Sequence, residues 1–364
     1  MAFVKKGEIW VPEIPTGDLG TLVAAGDWNA NCGGGRFIPA MRDELELARK
    51  AALYQAAGVT HFEFHSTEAP AAQAKQILKI VTEAGLKGVH MVTSNLFKLP
   101  PFVNGNYGNP IAGSRREAIE ATKVYIRAGI EGFGANIYVY WTGSNGMIIV
   151  LGASYQDVFR WTADSINEIC EWQVREFGWE KALPFVVEAK PNEPPSWAIP
   201  GDVGEVQSVI SLMDPAYQAM VGHNIEVCHP QLIGKRAAIE MGQAAATGKL
   251  WYCHLNGGSG QKFDEDRGFG DNDISIAAEV VLTLQEAGYR NVVGLDVQPL
   301  PTDTNRQQVA SIERSIRNLR RAIIIASRVD KAQLKALRAV GNNAEIAELW
   351  AAAVSGIANE AVAA

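Results

Sequence analysis

The sequence predicts an α/β protein, a (β/α)8 TIM barrel with a short helical C-terminal tail. Short apolar, β-branched or aromatic runs alternate with amphipathic stretches, and eight such pairs follow one another. A carboxylate or histidine stands at or just past the end of many runs, at His65, Glu68, Glu188, Glu226, His229, His254 and Asp296. In a parallel barrel the functional groups project from the C-terminal strand ends. An open doubly wound sheet shares the alternation. It explains less well why ligand-type residues recur at so many strand ends.

The runs and stretches pair in order. Thr21–Ala25 precedes Met41–Ala57, His61–His65 precedes Ala71–Ala84, Gly88–Thr93 precedes Arg115–Ala128, and Asn136–Trp141 precedes Tyr155–Phe177. Pro184–Glu188 then precedes Val203–Met213, and Asn224–Val227 precedes Lys235–Thr247. Leu250–His254 precedes Ile274–Ala287, and Val292–Asp296 precedes Asn305–Ser327. The runs hold residues that suit a pleated, buried surface; the stretches repeat apolar residues at helical spacing. Gly58, Gly85, Gly129 and Gly288 each follow an alanine where a left-handed C-cap is wanted. No low-complexity linker interrupts residues 1–330, which form one catalytic barrel domain in this reading. Residues 331–364 are an Ala-rich tail with a helix over Lys331–Leu349, either a docked or frayed helix or an oligomerisation arm reaching round a neighbouring subunit.

Of 364 residues, 47% are hydrophobic and 20% charged, the balance of a soluble protein with a sizeable core. A net charge of −7 argues against a nucleic-acid surface. Cys32, Cys170, Cys228 and Cys253 form no C-x-x-C pair, which argues against a zinc knuckle or a thioredoxin-like motif. Cys228 and Cys253 lie in apolar runs and read as small core residues. No signal-like segment and no run of transmembrane length is present, so a cytoplasmic location without a membrane partner is expected.

Glu188, Glu226, Asp296 and His254 close four strands and supply three carboxylates and one imidazole, enough for one divalent cation. His229, Asp264 and Asp266 could hold a second, with Glu226 bridging the two. Asp264 and Asp266 are two apart, so an extended segment turns both to one side. Any one of these acids reads equally as a solvated rim charge or a helix N-cap. The set together reads as a metal site.

The longer motifs carry a resemblance. Glu188-Ala189-Lys190-Pro191-Asn192-Glu193-Pro194, Glu226-Val227-Cys228-His229-Pro230-Gln231 and Leu255-Asn256-Gly257 stand in order, followed by Lys262-Phe263-Asp264-Glu265-Asp266 and Asp296-Val297-Gln298-Pro299. Ser94-Asn95-Leu96-Phe97 precedes them. Together they resemble E-P-K-P-N-E-P, E-V-G-H-E-Q, L-N-G, K-Y-D-Q-D, D-x-K-P and T-N-L-F of the xylose isomerase family, the metal-dependent aldose–ketose isomerases. The resemblance implies two divalent ions per subunit (Mn2+, Co2+ or Mg2+). Glu188, Glu226 and Asp296 would hold the first, and Glu226, His229, Asp264 and Asp266 the second. It implies that Lys190 bonds the substrate carbonyl oxygen and that His65, oriented by Glu68, helps open the sugar ring. Trp141 and, from a neighbouring subunit, Phe37 would wall the pocket; Phe97, Glu193 and Asn256 lie in the matched motifs and complete it. A homodimer or homotetramer acting on a small sugar is the implied assembly.

The chain departs from that pattern in places. His254 stands where the family has an aspartate, which removes a negative charge and favours manganese or cobalt over magnesium. A His-containing set also resembles rhamnose isomerases and ketose 3-epimerases. Glu68 replaces an aspartate, Gln298 a lysine, and Tyr140-Trp141-Thr142-Gly143-Ser144-Asn145 an A-W-G-G-R-E segment. The implied reaction is aldose–ketose isomerisation by a metal-assisted 1,2-hydride shift after ring opening. The alternatives are a ketose epimerase or isomerase working through an enediolate, a metal-dependent lyase or deglycosidase on the same scaffold, and a sugar-binding relative without turnover.

Overall fold

Eight short runs of almost wholly buried residues form the strands of a closed, all-parallel barrel. They are β1 (Val23–Gly26), β2 (His61–His65), β3 (Val89–Thr93), β4 (Ile137–Trp141), β5 (Phe185–Glu188), β6 (Val221–Glu226), β7 (Leu250–Leu255) and β8 (Val293–Leu295). Each strand pairs with its neighbours in sequence, and β8 pairs back onto β1 with Leu295 opposite Ala25. Strands covered on both faces are apolar throughout rather than alternating. The computed structural model describes residues 3–33, 41–97, 99–141, 149, 151–193, 196–260 and 263–356.

The outer ring consists of α1 (Leu47–Ala57), α2 (Ala74–Glu83), α3 (Ala112–Ala128), α4 (Tyr155–Phe177), α5 (Val203–Leu212), α6 (Ala237–Ala246), α7 (Ile274–Glu286) and α8 (Ala310–Ser327). Ser154, Asp202 and Asp273 cap three of these helices, their side chains accepting from first-turn N–H groups. The first amphipathic stretch becomes helical only at Leu47, after Glu46 in an extended conformation. Gly58, Gly85 and Gly288 take the expected positive φ. Gly129 does not. Its φ is −57°, and the chain continues through a π-turn over Gly129–Phe133 to Gly134, which supplies the left-handed residue. Glycine is still needed at this position, since a Cβ there would lie 2.9 Å from Val92 and 3.0 Å from Leu183.

The tail is two helices, α9 (Lys331–Ala339) and α10 (Asn343–Ser355), rather than one. Gly341 at φ 67° breaks it, and the Asn342 side chain caps the second helix. Trp350 of α10 donates to Ser275 of α7, and Arg328 to the Ala353 carbonyl, so the tail lies against its own barrel. An antiparallel hairpin, Phe3–Lys6 with Ile9–Pro12, was not anticipated; it sits near the N-terminal strand ends, where Trp10 stacks on Trp179 at 5.3 Å. Cys228 and Cys253 are buried, as expected of core residues. No described helix is long and apolar enough to cross a membrane.

Candidate metal centre

Two grooves open at the barrel ends. The larger, about 970 Å³, lies between the hairpin and the N-terminal strand ends and contains Glu13 as its sole carboxylate among the described residues. The smaller, about 200 Å³, lies at the C-terminal ends and gathers nearly every candidate named above. The donor chemistry is in the second.

Glu188 closes β5, Glu226 closes β6, His254 is the penultimate residue of β7, and Asp296 follows β8. One ligand atom from each of these four lies within 4.8 Å of the others, and so does one from each of Glu226, His229 and Asp264. Glu226 thus belongs to both clusters. His254 Nδ1 is 2.8 Å from Glu188 Oε2 and 3.9 Å from Asp296 Oδ2. His229 Nε2 is 3.1 Å from Glu226 Oε1 and 3.3 Å from Asp264 Oδ2. Its other nitrogen lies 2.9 Å from the Ala189 carbonyl, which fixes the ring orientation.

Asp266 lines the same cavity but is not within the tight three-residue cluster. The segment is not extended there. Asp266 has a φ of 47°, so the two-residue alternation expected from spacing does not hold, and a left-handed turn brings its side chain to the cavity instead.

Charge explains why this set suits a cation. Burial raises Glu226 well above the carboxylate range, and Asp264, Asp296, Glu188 and Asp266 push it the same way. Burial also raises Asp296, with His254 opposing. Burial acts against ionising Glu188, but the adjacent His254 outweighs it and holds the carboxyl below its usual value. Converging carboxylates that repel one another when bare, with imidazoles set among them, are a fitting donor set for borderline divalent ions.

Lys190, fully buried just past β5, donates to Asp264 Oδ2 at 2.8 Å and lies over the Trp141 ring at 5.2 Å. Phe97 meets Trp141 edge to face at 5.1 Å, and both line the cavity. His65 Nδ1 faces Glu68 Oε1 at 3.2 Å. Burial lowers the His65 pKa, but Glu68, then Asp296 and Glu188, outweigh it and the net shift is upward. Asn256 does not line the cavity. It sits behind it, donating to Glu226 Oε1 at 2.6 Å and accepting from the Cys228 amide. Glu193 falls in a two-residue strand, Asn192–Glu193, and its side chain is outside the described part, as is Phe37 altogether.

Three residues escaped the sequence reading. Trp28 stacks on His65 at 4.1 Å and donates to Asp296 Oδ1 at 2.7 Å, holding two site residues at once. Its ring passes where a Cβ on Gly26 would be, so glycine is required there. Asn224 of β6 donates to Glu188 Oε2 and lies 3.1 Å from His254 Nδ1. Glu63 lies deeper in the barrel. Its signal was legible, since His61, Glu63 and His65 alternate along one strand and share a face.

A family model described as a xylose isomerase-like TIM barrel matches residues 51–314. The xylose isomerase of Thermus thermophilus is 30% identical over 230 residues, 63% of this chain and 57% of that enzyme. That of Thermus caldophilus is 28% identical over 283 residues, 75% of this chain and 71% of the enzyme. The chain therefore spans little more than half the length of the first of these relatives. Among solved structures, an L-ribulose 3-epimerase superposes with a TM-score of 0.62 at 14% identity, covering 86% of this chain and 97% of the epimerase, which is a likeness of fold. The chain belongs to the xylose isomerase-like TIM-barrel family.

Proposed function

We propose that this chain is a divalent-metal-dependent sugar isomerase that interconverts an aldose and a ketose by a 1,2-hydride shift after ring opening. The observation that carries the proposal is the second donor cluster, Glu226, His229 and Asp264, beside the first, with the buried Lys190 ammonium on Asp264. Divalent ions held by the two clusters would polarise adjacent substrate oxygens as Lewis acids. Lys190 would donate a hydrogen bond to the carbonyl oxygen as charge develops there. His65, with Nδ1 turned to Glu68, keeps Nε2 for the ring oxygen or anomeric hydroxyl of the closed sugar. Trp28, Phe97 and Trp141 supply apolar walls that exclude competing water.

A second reading is favoured by His254. The first cluster holds one imidazole and three carboxylates, and within it Glu188 and Asp296 would double as bases for an enediolate epimerisation or isomerisation. Heavy water separates the two. Protein reloaded with Mn2+ is incubated in D2O with a panel of aldoses and ketoses, and products are read by proton NMR after metal removal. The hydride-shift reading expects product without deuterium at the transferred position. Solvent deuterium in the product would move the chain to the enediolate class, and no conversion of any sugar would refute both.

A further inference from the structure

Beneath the metal centre the barrel interior holds a carboxylate that the proposed reaction does not use. Glu63 is the middle residue of β2 and is fully buried. A buried carboxylate is costly unless paired and hydrogen-bonded. Glu63 is met from across the barrel by two residues of β7. Tyr252 Oη donates to its Oε1, and His254 Nε2 faces its Oε2 at 3.5 Å, an ion-pair separation. Among the described residues neither Glu63 Oε2 nor His254 Nε2 meets any other hydrogen-bond partner. Tyr252 and His254 alternate on β7 and so share the interior face.

The space for this arrangement comes from β8. A Cβ on Gly294 would collide with Tyr252 Oη and with His254 Cδ2, so the bare glycine lets both side chains lie where they do. The opposite edge of the His254 ring turns Nδ1 towards Glu188 and Asp296. Asn224 Nδ2, a donor, lies 3.1 Å from the same Nδ1.

We infer that Glu63 is a positioning residue of the metal centre: it holds a proton on His254 Nε2, aims the Nδ1 lone pair at the ion, and supplies behind the ring a negative charge that imidazole itself lacks. A carboxylate behind a ligating histidine fixes its tautomer and raises its basicity. The inference rests on the metal reading proposed above. It adds that the first site is a carboxylate–imidazole pair spanning β2 and β7.

The test is metal binding, without sugar. Stripped full-length protein is titrated with Mn2+ alone against a competing chelator, and with Co2+ alone to record the visible ligand-field spectrum. Glu63→Gln should weaken the first Mn2+ by about 10–100-fold and alter the Co2+ spectrum. His254→Asp should bind poorly because it sets two carboxylates face to face. Adding Glu63→Gln to His254→Asp should recover affinity by about tenfold or more, a reversal of sign that a merely structural role would not produce. Should Glu63→Gln alone fail to fold, the double variant still decides the matter. Wild-type affinity in Glu63→Gln with an unchanged spectrum, or additive losses in the double variant, would overturn the inference and leave the metal reading standing. A wild-type chain that binds neither ion would overturn both.

Discussion

Glu226 is the residue on which the two clusters meet, and its chemistry can be tested in both directions. With five acids converging, its carboxylate is held well above its ordinary pKa by burial and then by Asp264, Asp296, Glu188 and Asp266. On the metal reading proposed above, Glu226→Gln removes the carboxylate shared by the two clusters and also removes a buried repulsion. Metal stoichiometry should fall towards zero by titration, because an amide brings neither the negative charge nor the second oxygen needed to serve both clusters. In the stripped protein the same variant should melt no lower than wild type. A variant that keeps wild-type stoichiometry would show that Glu226 is not shared. Lys190 presents the opposite balance. Its partner Asp264 stays buried whether or not the ammonium is present, so truncating it leaves an uncompensated charge as well as removing a donor.

At the scale of the element, glycine placement decides where side chains can cross the barrel. Gly294→Ala should push Tyr252 and His254 out of register. Overpacking of this kind costs about 1–3 kcal/mol in urea unfolding, and Mn2+ affinity should fall with it. Unchanged stability and affinity would mean that β8 has room the geometry denies. Most elements were legible because barrel strands and their helices obey local rules. His61–His65 and Tyr155–Phe177 match their apolar and amphipathic runs end for end. The differences lie at two glycines. Gly129 lost its cap role to a π-turn that carries the helix on to Gly134, and the tail broke at Gly341, within a stretch whose composition looked uniformly helical. The site shows the same division. Strand-end candidates were readable one by one, whereas Trp28 and Asn224 act through contacts between neighbouring strands far apart in the chain; Glu63 could be placed on its face by alternation, but its partner His254 across the barrel could not.

At the scale of the whole molecule, buried histidines away from the ligands tie stability to pH. Burial pushes His223 down to about 3 and His61 to about 4. Each folded pKa lies below the unfolded value of 6.5, so the unfolded chain binds the proton first. Their contribution is full above pH 6.5 and is lost as pH falls towards 4 and 3. His223→Gln should therefore cost most near neutrality, with a penalty that shrinks by on the order of 1 kcal/mol per pH unit below that point. A penalty constant from pH 7 to pH 4.5 in chemical denaturation would argue that the histidine protonates freely when folded. The ring of strands closes only when β8 reaches β1, and the Trp28 bond to Asp296 spans that seam. A ribosome delivers Trp28 and Glu63 early and Asp296 near the end. The cluster of Glu226, His229 and Asp264 is delivered whole before Asp296, whereas the four-residue cluster waits for the last strand. The two halves of the candidate site are thus finished at different moments, and closure of the ring completes only the four-residue cluster.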